Sequence, residues 1–212
     1  MTSVGSPTIV PPVQDRSRAS QDRLLKAARE LIEEKGFENA SLREICRRAG
    51  LTSGAFYARF SGKRDLALHF LDHVKRHLEA IQEDFTTDLS ASGLEAAVRN
   101  LFGAQIDFYR NEGAVLRGLV VLLRNDVEIA QAMRRINNQY VRCIQAVLVE
   151  GVTIHHPDPP LALRLAFMCT LSALVELVLN QHLLDAGGGA YAYDRDTLVT
   201  ELTRMFLNYL EV

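Results

Sequence analysis

The sequence contains only three cysteines and six prolines. Cys46, Cys143 and Cys169 lie far apart and form no Cys-x-x-Cys pair, so no disulfide framework is expected. A reducing cytoplasmic compartment is therefore predicted. All six prolines fall at positions 7, 11, 12, 157, 159 and 160, so that residues 13–156 contain none. Because proline interrupts helix interiors, this gap permits long uninterrupted helices.

Signals for strands and for targeting are also missing. No stretch alternates between apolar and polar residues, and no Asn-Gly or Asp-Gly dipeptide marks a hairpin turn. Residues 1–17 have no continuous apolar core, so no secretory signal is expected. The most apolar run, residues 165–175, is shorter than the roughly 20 residues that a bilayer requires, so no membrane partner is expected. The sequence predicts an all-α fold.

Charge is distributed unevenly along the chain. The 24 Lys and Arg residues against 26 Asp and Glu residues give a formal net charge of −2. Residues 1–70 contain 12 basic and 8 acidic residues, a net charge of +4, whereas residues 71–212 contain 12 and 18, a net charge of −6. A basic front joined to an acidic remainder predicts a polyanion-binding module attached to a second region.

Apolar residues at helical spacing, interrupted by glycines, predict about nine helices. The first runs from about Ser20 to Lys35 and stops at Gly36. The second begins at Ser41, where Glu44 three residues later completes a capping-box pattern. A short third helix carries the Phe56 and Phe60 side chains, and a long fourth begins near Lys63. The remaining helices are predicted over residues 93–112 and 114–123, from Asp126, after the prolines at 159–160, and after Asp194.

The second and third helices have the spacing of a helix-turn-helix motif, with a tight turn at Gly50. In that motif the second helix enters the DNA major groove with its N-terminal residues first. Those residues are small here, which lets the backbone approach the bases. They are Thr52, Ser53, Gly54 and Ala55. Residues 39–64 carry six Lys and Arg against one acid, a net charge of +5 that favours phosphate binding.

These residues resemble the TetR family of bacterial transcriptional regulators. The resemblance is carried by Gly36-Phe37, Ser41-Leu42, Ile45, Ala49-Gly50, Thr52, Phe56-Tyr57, Phe60, Lys63 and Leu66, and its most specific part is the Phe-Tyr-x-x-Phe-x-x-Lys run. Residues 1–17, rich in Ser, Pro and Val, are predicted to form a disordered tail. The resemblance implies a three-helix DNA-binding domain over residues 18–78. A larger helical domain for ligand binding and dimerisation would occupy residues 79–212, where the resemblance is only architectural.

The resemblance also implies DNA-contacting roles for individual residues. Arg43 and Arg59 would reach a base or a phosphate, while the Tyr57 hydroxyl would bind a phosphate. Lys63 would hold a phosphate with the help of a helix N-terminus. Thr52, Ser53, Gly54 and Ala55 would face the major groove. The DNA partner would be a nearly palindromic operator, because two half-sites about 34–36 Å apart are needed for specificity.

The second domain is expected to bind a largely apolar effector and a second subunit. In the family, the last two helices form a four-helix bundle with their copies, so the eighth and ninth helices are expected to make a homodimer. The central helices would enclose a pocket, although ordinary core packing is the alternative for each residue. The apolar candidates are Phe102, Phe108, Leu116, Met133, Met168 and Cys169, and the polar candidates are Gln105, Tyr109, Arg117, Asn137 and Glu176.

His69, His73 and His77 recur every four residues, a spacing that suits either a metal site or a pH switch. No acidic or cysteine cluster completes the site, so neither a metal nor a cofactor is expected.

The sequence lacks a nucleophile elbow, a phosphate loop and a dinucleotide fingerprint, so no enzyme is expected. The resemblance therefore implies a ligand-responsive repressor that a small molecule releases from DNA. The alternatives are a helical adaptor that binds protein and a ligand-modifying enzyme.

Overall fold

The computed structural model describes residues 13–180 and 193–211, and for 13–16 it describes the backbone only. Every regular element in these ranges is a helix, as the sequence predicts. The chain divides into two compact units, Met1–Leu66 and Ala67–Val212. This division lies earlier in the chain than the boundary predicted at residue 78, and it falls inside a continuous helix.

The first unit contains α1 (Val13–Asn39), α2 (Leu42–Ala49) and α3 (Ser53–Tyr57). Residues 13–17, predicted to belong to a disordered tail, are instead helical, and the rest of that tail lies outside the described residues. The helix can extend this far because residues 13–156 contain no proline. At Gly36 the backbone leaves helical geometry, with φ 81° and ψ 161°, so the predicted stop is a break within α1.

The core of the first unit comes from one face of each helix. The apolar positions predicted from helical spacing are buried, including the two phenylalanines of the Phe-Tyr-x-x-Phe run. Burial of these side chains is the main source of stability for helices too short to persist alone in water. The buried residues include Leu24, Ala28, Leu31, Ile32, Ile45, Cys46, Ala49, Phe56 and Phe60.

The second unit is built from longer helices. They are α4 (Lys63–Ser92, whose first turn belongs to the first unit), α5 (Leu94–Asn125), α6 (Val127–Gly151), α7 (Pro159–Leu174) and α8 (Arg195–Leu210). A π-helical turn, Val175–Leu179, directly follows α7. Asp126, Asp158 and Asp194 cap the N-termini of α6, α7 and α8 by accepting backbone N–H groups at 2.9–3.1 Å. The predicted starts of these helices are therefore fixed by side-chain caps.

One predicted helix boundary is wrong. Residues 93–112 and 114–123, predicted as two helices, form the single helix α5, so the described residues contain eight helices rather than nine. Gly113 lies buried inside α5, where a Cβ would meet the Arg117 guanidinium at 3.1 Å. A glycine costs a helix only about 1 kcal/mol relative to alanine, which the packing of so long a helix offsets.

Aromatic rings join α5, α7 and α8. Phe206 packs edge-on against Phe102 and Phe167, with ring centroids 5.7 and 5.1 Å apart. Arg195 forms a two-pronged ion pair with Asp107 at 2.8 and 2.9 Å, and this hydrogen bonding lowers the pKa of the Asp107 carboxyl. The second unit therefore has its own core, and an ion pair fastens α8 to α5 at the surface.

The helical stretch Pro159–Leu179 is long and apolar enough to cross a membrane by composition alone, with a mean hydropathy of 1.9. It is longer than the 165–175 run on which the sequence prediction rests. Part of it is core, because Ala162, Leu163 and Phe167 are buried. Leu165 and Met168 are exposed on the other face, and the Met168 side chain is 63% accessible. One face of this helix therefore packs in the core, and the other forms an exposed apolar surface.

The capping box of α2 should contribute measurably to stability. Ser41→Ala removes the hydroxyl that accepts the Glu44 N–H at 3.3 Å, leaving that donor without its cap. We expect a loss of about 1 kcal/mol in the free energy of unfolding, measured by urea denaturation. Ser90→Ala is the matched control, because the Ser90 hydroxyl only bonds back to the Thr86 carbonyl within α4. Equal stability of the two variants would contradict the capping argument.

Candidate functional site

The turn between α2 and α3 has a single left-handed residue. Gly50 adopts φ 62° and ψ 39°, and its N–H donates to the Arg47 carbonyl at 3.1 Å. The Leu51 N–H donates to the Cys46 carbonyl at 2.9 Å, which closes the end of α2. Only glycine adopts this conformation without a steric penalty. The sequence therefore fixes the angle at which the chain leaves α2 and enters α3.

An arginine from α1 reinforces this turn. The Arg23 guanidinium donates to the backbone carbonyls of Ala49 and Gly50, the second at 3.1 Å. A Cβ at Gly50 would lie 2.9 Å from Arg23 Nη2, so the guanidinium sits directly against the glycine. Sequence reasoning missed Arg23, because a contact to a residue 26 positions away leaves no local signal.

The short helix α3 is held at both ends. The Thr52 hydroxyl oxygen accepts the Ala55 N–H at 3.2 Å and so caps the N-terminus. Phe56 is fully buried and packs against Phe60, with ring centroids 5.2 Å apart. Under this helix, burial raises the pKa of the Cys46 thiol, which disfavours a reactive thiolate. The helix is thus anchored by one buried ring and presents its other face outward.

That outward face carries most of the residues predicted to contact DNA. Thr52, Ser53 and Gly54 are exposed, and Ala55 is half-buried. The Tyr57 side chain is 60% accessible, and its ring meets Phe56 edge-on at 5.7 Å. Its hydroxyl has no hydrogen-bond partner in the part of the chain that the structure describes. A hydroxyl so placed is available to donate to a phosphate.

The cations on and beside α2 fall into two groups. Arg43 and Arg47 are exposed and bond to no other described residue. Arg48 forms an ion pair with Glu34, so its charge is largely compensated. Lys35 pairs with Glu44 at 2.5 Å, and the hydrogen bonds from Lys35 and Ser41 lower the pKa of Glu44 to about 2. The free positive charge on α2 is therefore concentrated at Arg43 and Arg47.

Two predicted phosphate contacts are engaged within the protein. Arg59 donates to the Ala55 carbonyl at 2.7 Å and to the Ser17 carbonyl at 3.3 Å, which links α3 to the start of α1. Lys63 Nζ donates to the carbonyls of residues 37 and 38 at 2.6 and 2.9 Å and lies over the Phe37 ring. Burial lowers the pKa of Lys63. Both side chains position helices here, and their phosphate roles remain predictions.

The second unit contains a cavity of ≈ 390 Å³. Four of the five polar residues predicted to contact a ligand line it: Gln105, Tyr109, Asn137 and Glu176. The other lining residues are Leu78, Tyr140, Val141, Leu171, Ser172 and Val175, none of which the sequence reasoning singled out as a ligand contact. Tyr140 lies one turn after Asn137 on α6, and this spacing is the signal that could have found it.

The polar groups of this cavity are mostly neutral. Gln105 is 2% accessible, and its Nε2 donates to the Tyr140 hydroxyl at 2.6 Å. Gln105 Oε1 is buried and finds no hydrogen-bond donor among the described residues. Burial raises the pKa of both Tyr109 and Tyr140, so both phenols stay protonated. Glu176 is the only charged residue among the described residues that line the cavity, and it accepts the Asn180 amide at 3.0 Å.

The other predicted ligand contacts lie outside this cavity. Phe102 belongs to the aromatic core with Phe206, and Leu116 is buried elsewhere on α5. The Arg117 guanidinium donates to the Leu179 carbonyl at 3.1 Å. The remaining four are also absent from the lining: Phe108 packs against His77, Met133 is half-buried on α6, and Met168 and Cys169 are exposed on α7. The spacing of apolar residues alone could not show whether a side chain lines a cavity, packs in the core or lies on the surface.

The exposed face of α7 and α8 forms an apolar surface. Leu165, Met168, Met205 and Tyr209 are exposed large side chains on these two helices. Between the helices lies a hollow of ≈ 310 Å³ that Leu165, Cys169, Met205 and Tyr209 help to line. Met168 and Cys169, predicted to be ligand contacts, therefore belong to the surface that the sequence assigned to dimerisation.

Two of the three histidines of α4, His73 and His77, each contact a different residue of α5. His73 Nε2 lies 3.3 Å from a Glu112 carboxylate oxygen, and His77 stacks on Phe108 with ring centroids 3.9 Å apart. Burial, followed by the neighbouring His73, lowers the pKa of His77. Across the described ranges, no three His, Cys, Asp or Glu side chains gather into a cluster that could hold a metal.

Comparisons with known proteins agree with this geometry. Residues 24–70 match a model of the family described as bacterial regulatory proteins, tetR family. The chain is 23% identical over 164 residues to the fatty acid metabolism regulator protein of Bacillus subtilis, covering 77% of this chain and 84% of the relative. It is 40% identical over 76 residues to an HTH-type transcriptional regulator of the same organism, which spans 32% of this chain and 39% of that protein.

Solved structures show the same fold. The fatty acid degradation regulator FadR from Bacillus halodurans superposes with a TM-score of 0.67 at 22% identity, covering 89% of this chain and 94% of that chain. FadR from Bacillus subtilis, solved in complex with stearoyl-CoA, gives a TM-score of 0.66 at 18% identity, with 89% and 98% covered. Residues 24–70 therefore form a DNA-binding region of the tetR family of bacterial regulatory proteins, and the protein is a transcriptional regulator of the helix-turn-helix type.

The left-handed turn gives a direct test of the site's construction. Gly50→Ala forces a side chain into a conformation that disfavours L-residues and pushes against Arg23, so we expect a loss of about 1–2 kcal/mol in the free energy of unfolding. Urea denaturation measures it. Gly54→Ala is the matched control, because Gly54 has ordinary helical geometry and a Cβ there meets only Thr52 at 3.7 Å. A cost at position 54 equal to that at position 50 would contradict the argument.

Proposed function

We propose that the protein is a cytoplasmic homodimeric repressor that binds a nearly palindromic operator and leaves it when a small molecule occupies the cavity. The observation that carries this proposal is the exposed face of α3, which presents small side chains and the Tyr57 hydroxyl. Tyr57, and Arg43 and Arg47 on α2, are exposed and have no bonding partner among the described residues. Thr52, Ser53, Gly54 and Ala55 would enter the major groove. Tyr57 and Arg43 would contact phosphates or bases at its edge.

Two subunits are needed because one short helix reads too few base pairs. A five-residue helix such as α3 offers only a few side chains to base edges. Pairing two copies doubles the contacts and fixes the half-site spacing near 34–36 Å. The exposed apolar side chains of α7 and α8 supply a surface that a second copy would cover. This supports the predicted pairing through the last two helices.

The cavity supports control by a ligand. A ligand releases DNA only if it binds the DNA-incompetent conformation more tightly than the competent one. The coupling is reciprocal, so the operator must weaken ligand binding by the same factor. The relatives named for fatty acid metabolism include one solved with stearoyl-CoA, which makes fatty acyl-CoA the first ligand to compare.

Removing single phosphate contacts tests the DNA-binding surface. Random duplex DNA is first selected with the purified protein, and the enriched sequence serves as the operator. We expect Tyr57→Phe and Arg43→Ala each to weaken operator binding. Arg43→Ala should also lower the slope of log affinity against log salt by about 0.9 per subunit, or about 1.8 for the dimer, if Arg43 binds a phosphate. Arg142→Ala, an exposed cation on α6, is the control and should change neither quantity. Unchanged affinity in both variants would favour a protein-binding adaptor.

A charge on the apolar face tests the dimer. Leu165→Glu places a carboxylate on the exposed face of α7, where pairing would bury it without a partner. We expect the wild-type protein to sediment as a dimer and this variant as a monomer with much weaker operator binding. Val127→Glu is the matched control, because Val127 is equally apolar and 71% exposed but lies on α6. A Leu165→Glu variant that remains dimeric would overturn the assignment of this face.

A further inference from the structure

The cavity of the second unit has a chemistry that does not suit an acyl-CoA. We propose that it takes a compact, uncharged aromatic molecule carrying a hydroxyl donor, an inference that rests on the ligand-controlled function proposed above. The cavity measures ≈ 390 Å³, near the lower end of the roughly 300–1,000 Å³ typical of small-molecule sites. A long acyl chain with its nucleotide is much larger than such a space.

The charge of the lining argues against an anionic ligand. Among the described residues that line the cavity, Glu176 is the single charged one, and it is negative. The amide of Asn180 donates to Glu176 at 3.0 Å, but no lysine or arginine takes part in the described lining. A phosphate or carboxylate entering this space would lose hydration without gaining a cationic partner. Neutral ligands escape that penalty.

Gln105 and Tyr140 are two hydrogen-bonded polar residues that line the cavity. Gln105 Nε2 donates to the Tyr140 hydroxyl at 2.6 Å, and Gln105 Oε1 has no donor among the described residues although it is buried. If the amide is turned over, its NH₂ group becomes the unsatisfied end, so one half of the amide lacks a partner in either orientation. An unsatisfied buried polar group costs about 1–3 kcal/mol. A hydroxyl both donates and accepts, and therefore satisfies either orientation.

Aromatic and apolar groups complete the lining. Tyr109 and Tyr140 contribute two rings, and burial raises the pKa of both phenols, so neither supplies a charge. Leu78, Leu171 and Val175 contribute aliphatic surface. Flat aromatic ligands pack well between such groups, with rings offset or edge-on. The lining therefore matches a ring with one hydroxyl better than a flexible chain, which would leave the Gln105 amide unsatisfied.

The π-helical turn adds specificity on one side. Val175 and Glu176 open this turn, and its defining hydrogen bond runs from the Asn180 N–H to the Val175 carbonyl at 3.0 Å. A π turn widens the helix by one residue and shifts the side chains that follow, a feature frequent at functional sites. The turn places Glu176, an exposed residue, among the otherwise neutral residues that line the cavity.

Three probes of nearly equal size separate the contributions of shape, donor and charge. They are biphenyl, para-hydroxybiphenyl and biphenyl para-carboxylate, compared with stearoyl-CoA by calorimetric titration of the full-length protein. We expect para-hydroxybiphenyl to bind about tenfold more tightly than biphenyl, which corresponds to one hydrogen bond to a buried group. The carboxylate and stearoyl-CoA should bind more weakly than para-hydroxybiphenyl.

Variants assign these differences to residues. Gln105→Leu keeps the volume of the side chain and removes the amide, so the tenfold advantage of the hydroxyl over biphenyl should disappear while biphenyl itself still binds. Glu176→Gln removes the negative charge and should reduce the difference in affinity between biphenyl para-carboxylate and para-hydroxybiphenyl. Asn138→Ala, an exposed neighbour on α6 that does not line the cavity, is the control and should leave all four affinities unchanged.

The outcomes separate this inference from the proposed function. Stearoyl-CoA binding more tightly than para-hydroxybiphenyl, or a hydroxyl advantage that survives Gln105→Leu, would overturn the ligand class. Failure of para-hydroxybiphenyl to bind would overturn it as well. None of these results touches operator binding, which is measured on the same preparation without any probe. A wild-type protein that does not bind the operator would instead overturn the proposed function itself.

Discussion

The DNA-facing surface depends on one backbone conformation, the left-handed turn at Gly50. It sets the direction of α3, a five-residue helix that has too few internal hydrogen bonds to hold its own orientation. Arg23 stabilises the turn by donating to the carbonyls of Ala49 and Gly50. Phe56, which is fully buried, anchors α3 in the core. The turn and the buried Phe56 therefore set the position of the small residues on the outer face of α3.

Cations in this unit divide between scaffold and surface. Arg59 and Lys63 donate to backbone carbonyls of neighbouring segments, whereas Arg43 and Arg47 have no partner among the described residues. Since a backbone carbonyl does not cancel a full charge, the first two still add to the positive field that attracts a polyanion. The same residue types therefore serve two purposes, whereas the family resemblance implied DNA contact for Arg43, Arg59 and Lys63 alike.

Much of the fold was predictable, because caps and periodicity are local signals. Ser41 with Glu44, Asp126, and the prolines before α7 marked helix starts that the structure confirms. Gly113 misled, since burial inside α5 outweighs the weak helix propensity of one glycine. The polar interruptions on α5, α6 and the π-helical turn after α7 located four lining residues of the cavity. The contacts of Arg23 and Arg117 and the exposure of Met168 depend on tertiary packing, which sequence spacing does not show.

The central claim is that two copies of this helix-turn-helix unit read DNA at a fixed separation, and the spacing between half-sites tests it most directly. Operator affinity would be measured for the selected duplex and for one in which about five base pairs, half a helical turn, are inserted between the half-sites. The account predicts that the insertion reduces affinity to that of a single half-site, because the second α3 then faces the wrong side of the duplex. Equal affinity for both duplexes would contradict it.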